Sequence, residues 1–198
     1  PQPMTSGPVY LGAIVCFLFI LGLVYLKTWH RWWILGVCML AVIMSWGSNF
    51  MSFNSFLFNN LPLYNKFRAP SIILILPQLL FPLLAIMALQ QFLFEEKNKA
   101  LALEGLKKAV YVTGGILLGA VLLYFSFDYI GKDDQIKNAL TQILGGNQEE
   151  ANSFYNVLKE DRRSLFGSDL IRSIIFIAAA AGLLWLAVKD KLKTAYVL

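Results

Sequence analysis

The chain has 198 residues, 58% of them hydrophobic and 15% charged, against roughly 45 to 50% apolar and 25% charged in soluble domains. That balance excludes an ordinary soluble globule and marks a membrane protein. A net charge of +5 does not make it a nucleic-acid binder, because the basic residues sit scattered at the ends of apolar runs and do not gather on one face.

A helix that crosses about 30 Å of hydrocarbon at 1.5 Å per residue needs about 20 mostly apolar residues. Five runs meet or approach this: 8–26, 32–47, 71–94, 109–129 and 170–188. The first has no basic flank before it and no small-residue cleavage site after it, so it reads as a span and not as a signal peptide. Cys16 and Cys38 lie inside the first two runs, where a thiol acts as a small hydrophobe, and their spacing suggests neither metal nor disulfide. The second run is short, but Trp29, Trp32 and Trp33 at one end and Trp46 at the other bracket it as an interfacial belt. His30 stands alone among these residues and reads as interfacial, not as a ligand or base.

A loop, 48–70, follows, in which Asn49, Asn54, Asn59, Asn60, Tyr64, Asn65 and Arg68 alternate with Phe50, Phe53, Phe56, Phe58 and Phe67. It is apolar enough to dip into a bilayer and polar enough to hold a ligand. Arg68, supported by Tyr64 and Asn65, would meet a phosphate with a planar fork of five donors. The alternative, an arginine snorkelling to anionic headgroups beside solvating asparagines, stands equally.

The third run carries Gln78 and is preceded or interrupted by Pro70, Pro77 and Pro82, a pattern that predicts a kinked helix lining a cavity or simply one that tolerates proline. Glu95 and Glu96 read as its solvated inner cap. Gly115 and Gly119 in the fourth run form a GxxxG, and Ala178 to Gly182 in the fifth a second smooth surface, both expected to pack closely against other helices.

The second outer loop, 130–169, shows helical spacing in Ile136, Leu140, Ile143 and Leu144, a Gly145-Gly146 break, and then Asn147 with Glu150 three residues on, a cap signal. Phe154, Leu158 and Leu165 extend the apolar stripe, so two short amphipathic helices are expected there. Asp169 is expected at the N-terminus of the fifth span, where the helix dipole favours an anion, paired with Arg172 on the same face.

The fold class is therefore all-α: a polytopic transmembrane helical bundle, 1–198, of about five spans with an outer helical loop. Lys27, Arg31, Lys97, Lys99, Lys107, Lys108, Lys189, Lys191 and Lys193 fall in the short segments 27–31, 95–108 and 189–198 if the N-terminus lies outside. The remaining loop cations are diluted in the two long loops, which count least for orientation. The N-terminus is accordingly expected outside and the C-terminus in the cytoplasm. No motif supplies a catalytic Ser/His/Asp set, a metal cluster or a phosphate loop, and no cofactor or metal is expected.

The stretches "LPLYNKFRAPSIIL" (61–74) and "LKEDRRSLFGSDLIRSIIF" (158–176), in this order among the spans, resemble the YfhO family of large bacterial polytopic membrane proteins, in the form common in Bacteroidota. Asp161, Arg162, Asp169 and Arg172 carry the second match. Members resemble glycosyltransferases of the C-type membrane fold, which take sugar from a polyprenyl-phosphate donor at the outer face of the cytoplasmic membrane, and some are implicated in decorating cell-envelope polymers. The resemblance implies membrane lipid and a polyprenyl-phosphate-linked sugar as partners, with Arg68 on the donor phosphate. Family members are far longer, and the acidic catalytic residue of C-type enzymes usually precedes the region present here. The chain thus reads as a central segment without the base; a non-enzymatic lipid or solute transporter, or a structural bundle, is the rival reading.

Overall fold

The computed structural model describes residues 10–46, 50–60, 70–95, 98–127, 129, 141–142 and 147–189. Its regular elements are all helical, and no strand occurs among the described residues. They are α1 (Ala13–Tyr25), α2 (His30–Ser45), α3 (Met51–Asn60), a 3₁₀ turn (Pro70–Leu74) running into α4 (Ile75–Gln90) and a π turn (Gln91–Glu95), α5 (Lys99–Ser126) and α6 (Gln148–Val188).

Three helical stretches are long and apolar enough to cross a membrane: Ser71–Glu95, Lys99–Ser126 and Gln148–Val188. The first two runs give shorter helices, of 13 and 16 residues. These reach about 20 and 24 Å, less than the hydrocarbon thickness. Part of the reason lies at the end of α1, where Leu26 turns extended. Arg31 fixes that exit: its Nη1 donates to the carbonyls of Leu26 at 2.6 Å and Leu23 at 3.2 Å, satisfying acceptors at the end of α1.

The residues up to Tyr111, with those from Ala180 onward, form one compact unit, and Val112–Ala179 a second. In the first unit α1 and α2 both pack against α4. Among lipid tails, which are as apolar as leucine, such contacts would depend on close fit and not on expulsion of water. The fit is close at Gly22, where a Cβ would stand 2.8 Å from Leu84 Cγ and 3.1 Å from the Leu84 carbonyl oxygen, and at Gly105, which lies under the Tyr25 ring. Phe17, Leu21 and Leu84 are fully buried. Phe19 stacks on Phe81 with centroids 3.8 Å apart, and Tyr25 meets the edge of Phe92.

The GxxxG behaves otherwise. A Cβ at Gly115 or Gly119, or at Gly182, meets nothing within 4 Å, so close packing at these glycines is not found among the described residues.

The three prolines also part company. Pro70 opens the 3₁₀ turn and Pro77 lies in the first turn of α4, where N–H groups lack helical partners in any case; only Pro82 is interior. It removes the N–H that would reach the carbonyl of Gln78. The second irregularity, the π turn, follows at Gln91–Glu95, with Gln90 Nε2 donating to Glu95 Oε1 at 3.1 Å.

α5 starts ten residues before the apolar run at 109. Asn98 caps it through its Oδ1, which accepts the Ala100 N–H at 3.0 Å. Ala102, Gly105, Leu106, Ala109 and Thr113 form a buried stripe at helical spacing, with Lys107 and Lys108 outside it. What composition made an inner loop is the amphipathic start of a helix.

α6 brings the largest difference. Asn147 does cap it, its Oδ1 accepting the N–H groups of Glu149 at 3.2 Å and Glu150 at 3.5 Å. The helix then runs 41 residues without a break, about 62 Å. The stretch expected as an outer helix, 148–169, and the run expected as the fifth span, 170–188, are one element. No proline interrupts it, and its two glycines, Gly167 and Gly182, cost a long helix only about 1 kcal/mol each. Asp169 therefore sits mid-helix, and the dipole reading of it is corrected. Residues 131–140, with the first expected outer helix, lie outside the described residues apart from its helical neighbours 141–142.

Candidate functional site

Arg68, Tyr64 and Asn65 lie outside the described residues, as does Asn49. Half of the loop that holds them is described and is not a loop: residues 51–60 form α3. The run "MSFNSFLFNN" lacks proline and glycine, and its first aromatic, Phe53, meets Phe50 three residues back. Phe50 stacks on Phe53 with centroids 5.7 Å apart and takes the edge of Trp46 at 6.2 Å. Asn60 Nδ2 donates back to the Phe56 carbonyl at 2.8 Å. α3 thus ends one residue before Leu61-Pro62, and proline restricts the residue ahead of it to extended backbone.

Asp169 and Arg172 stand 4.0 Å apart, Oδ1 to Nη1, one turn from each other on α6, with both side chains 74% exposed. At that distance and exposure the pair is worth less than about 1 kcal/mol. It orients two side chains and can do no acid–base work by itself.

A cluster on the second unit was not legible from spacing. Tyr124, near the end of α5, faces Phe166 of α6 with centroids 6.1 Å apart and rings nearly parallel, and Tyr129 leans on both. Gly167 permits this approach, since a Cβ there would meet the Tyr124 ring at 3.3 Å. Arg163 lies over the Tyr124 ring at 5.3 Å. Arg162 points Nη1 at the Tyr129 carbonyl at 3.5 Å, and the Tyr129 hydroxyl donates to the Tyr124 carbonyl at 2.9 Å.

The backbone of Tyr129 takes φ of 55°, a left-handed conformation costly for a tyrosine. The hydroxyl bond and the aromatic contacts hold it there. Partial burial pushes the Tyr129 phenol above its ordinary range; Tyr124 adds to this and the Arg163 charge opposes it. The phenol therefore remains a hydrogen-bond donor at neutral pH. Arg162, Arg163 and Phe166 belong to "DRRSLF", whose charges were visible in sequence; that Tyr124 and Tyr129 meet them 33 to 42 residues away was not.

What the cluster offers chemically is one guanidinium on an aromatic face, Arg163 over Tyr124, with a second, Arg162, at a backbone carbonyl beside it. A guanidinium stacked on a ring keeps its in-plane N–H donors for a second partner. Among the described residues no trio of His, Cys, Asp or Glu is grouped to hold a metal ion. His30, at the first position of α2, is exposed.

No family model, no curated protein and no solved structure matches the chain.

Proposed function

We propose that this chain is the central part of a YfhO-like protein that transfers, or helps transfer, a lipid-linked sugar onto cell-envelope polymers at the outer face of the bacterial cytoplasmic membrane. The observation that carries the reading is the seating of Arg163 on the Tyr124 ring, stacked with Phe166, and of Arg162 at the Tyr129 carbonyl. Flat apolar faces and in-plane donors are what a phosphorylated sugar can use together: rings against the sugar's C–H face, guanidinium groups on the phosphate. Arg68, with Tyr64 and Asn65, is the second phosphate contact of this proposal, two residues before the 3₁₀ turn that leads into the apolar stretch Ser71–Glu95. The acidic base belongs to another part of the parent protein.

In this reading α1 and α2 also cross the membrane, making five passes, and the N-terminus lies outside. The Trp185 and Lys189 contact, with Nζ 3.9 Å from the ring centroid, supports an inner interface at the end of α6. With Cys16 and Cys38 replaced, a cysteine at Ser153 is expected to react with an impermeant thiol reagent in intact cells and one at Asn98 to remain unlabelled. The opposite pattern would invert the topology and remove the outer-face chemistry.

The decisive test is sugar transfer by the full parent protein at matched membrane levels. Loss of a charge-assisted bond, roughly 1.5 to 3 kcal/mol, lowers transfer about tenfold or more in Arg68→Ala or Arg163→Ala. Arg68→Lys keeps the charge but not the fork and is expected to recover only part of it. Asp169→Asn should change transfer little. Normal transfer by both alanine variants would end the phosphate reading. The broken third stretch, with a 3₁₀ turn, Pro82 and a π turn, favours a transporter as the second reading; substrate flux without transfer would select it.

A further inference from the structure

In the first unit, the end of α1, the π turn and the opening turns of α5 surround a cleft of about 200 Å³. Val24, Tyr25 and Leu101 give it an apolar side, and Gly105 opens its floor. Lys27, Gln91, Glu104 and Lys108 form the polar side. Its volume equals that of six or seven waters at ~30 Å³ each, room for a phosphate and part of a glycerol but not for acyl chains.

From these features we infer that the cleft binds the phosphate headgroup of an anionic glycerophospholipid, with Lys27 and Lys108 as its cations and Gln91 as a neutral donor. Two lysines and one carboxylate leave the rim net positive. Glu104 and Lys108 stand one turn apart on α5, yet among the described residues no ion pair joins Glu104 to either lysine. Both lysines are exposed, so each is available to an incoming anion.

Depth favours a lipid over a soluble phosphate. Lys27 is two residues from Trp29 and five from Trp32, which are 74% and 59% exposed, and exposed tryptophans sit at headgroup level. Leu101, 44% exposed at the cleft wall, offers an acyl chain an apolar surface at the rim. Basic clefts between helices on the side of the membrane that carries the lysines suit anionic headgroups on these grounds. The π turn contributes geometrically: its extra residue per turn re-aims the backbone where Gln91 reaches the rim.

The test uses the full parent protein, purified in a neutral detergent and titrated with phosphatidylglycerol, with phosphatidylcholine as reference. Retained lipid is counted by native mass spectrometry. Lys27→Gln with Lys108→Gln is expected to weaken phosphatidylglycerol binding about tenfold or more. The control pair Lys107→Gln with Lys189→Gln, which removes the same charge outside the cleft, is expected to change it less than about twofold if contact and not net charge governs affinity. Glu104→Gln, which removes the competing carboxylate, should tighten binding, a gain that misfolding cannot mimic. Equal losses in the two lysine pairs, weaker binding by Glu104→Gln, or competition by soluble glycerol phosphate at comparable concentration would each overturn the assignment.

Discussion

Gly22→Leu is expected to separate α1 from α4, while Gly115→Leu leaves the protein at least as stable as before. At Gly22 the first added carbon already meets Leu84 Cγ at 2.8 Å, its Cδ2 at 3.3 Å and its carbonyl oxygen at 3.1 Å. The side chain of Leu84 is fully buried, and the carbonyl belongs to α4 itself. Overpacking of this kind costs typically about 1 to 3 kcal/mol, and backbone in the path places it at the upper end or beyond. At Gly115 nothing lies within 4 Å, so leucine only restores helix propensity, up to about 1 kcal/mol. The midpoint of denaturation in mixed dodecyl sulfate micelles, followed by tryptophan fluorescence, measures both. If Gly115→Leu falls as far as Gly22→Leu, a helix covers the GxxxG face and the open space at Gly115 is refuted.

The same pair of glycines shows what the sequence could and could not convey. Hydropathy is a property of single segments, and it located the three long spans because each needs only its own residues to be apolar. Packing partners are a property of pairs. GxxxG at 115 and 119 advertises smoothness without saying that anything uses it, whereas Gly22, in "FILGLVY", matters because Leu84 lies opposite. Helix ends were legible where a local side chain makes them, as Asn147 does for α6, and misread where charge was taken for an end. Lys107 and Lys108 looked like a loop because they are polar, although Ala102, Leu106 and Ala109 already kept helical period. The run 48–70 was read as a loop because its phenylalanines alternate with polar residues; Phe50 and Phe53 stack instead where α3 begins. Of the candidate site, the charges of "DRR" were visible, but the ring contacts that position them depend on Gly167 and on a left-handed Tyr129, neither of which composition signals.

A proline at position 170 is expected to distinguish one long helix from two short ones. Were Asp169 the N-cap of a separate span, residue 170 would be the first helical position, where proline is favoured because its missing N–H had no partner. In the continuous α6 the Leu170 N–H instead falls where it reaches the carbonyl of Phe166, and Leu170→Pro removes that bond and sets the ring against the same carbonyl, a cost of about 3 kcal/mol or more. The consequence reaches the aromatic cluster directly, since Phe166 faces Tyr124 and Tyr129. Gln148→Pro, just after the Asn147 cap, is the matched control and should cost little. Spin labels at Ser153 and Ala178, 25 residues apart on the helix, are expected about 38 Å apart from the rise per residue alone. Leu170→Pro should shorten and broaden that distance and lower the denaturation midpoint, whereas Gln148→Pro leaves both in place. A parent distance well below 38 Å, or a Leu170→Pro variant with the parent's distance and stability, would mean that the helix already bends at Asp169 and that its span and its outer arm are separate elements.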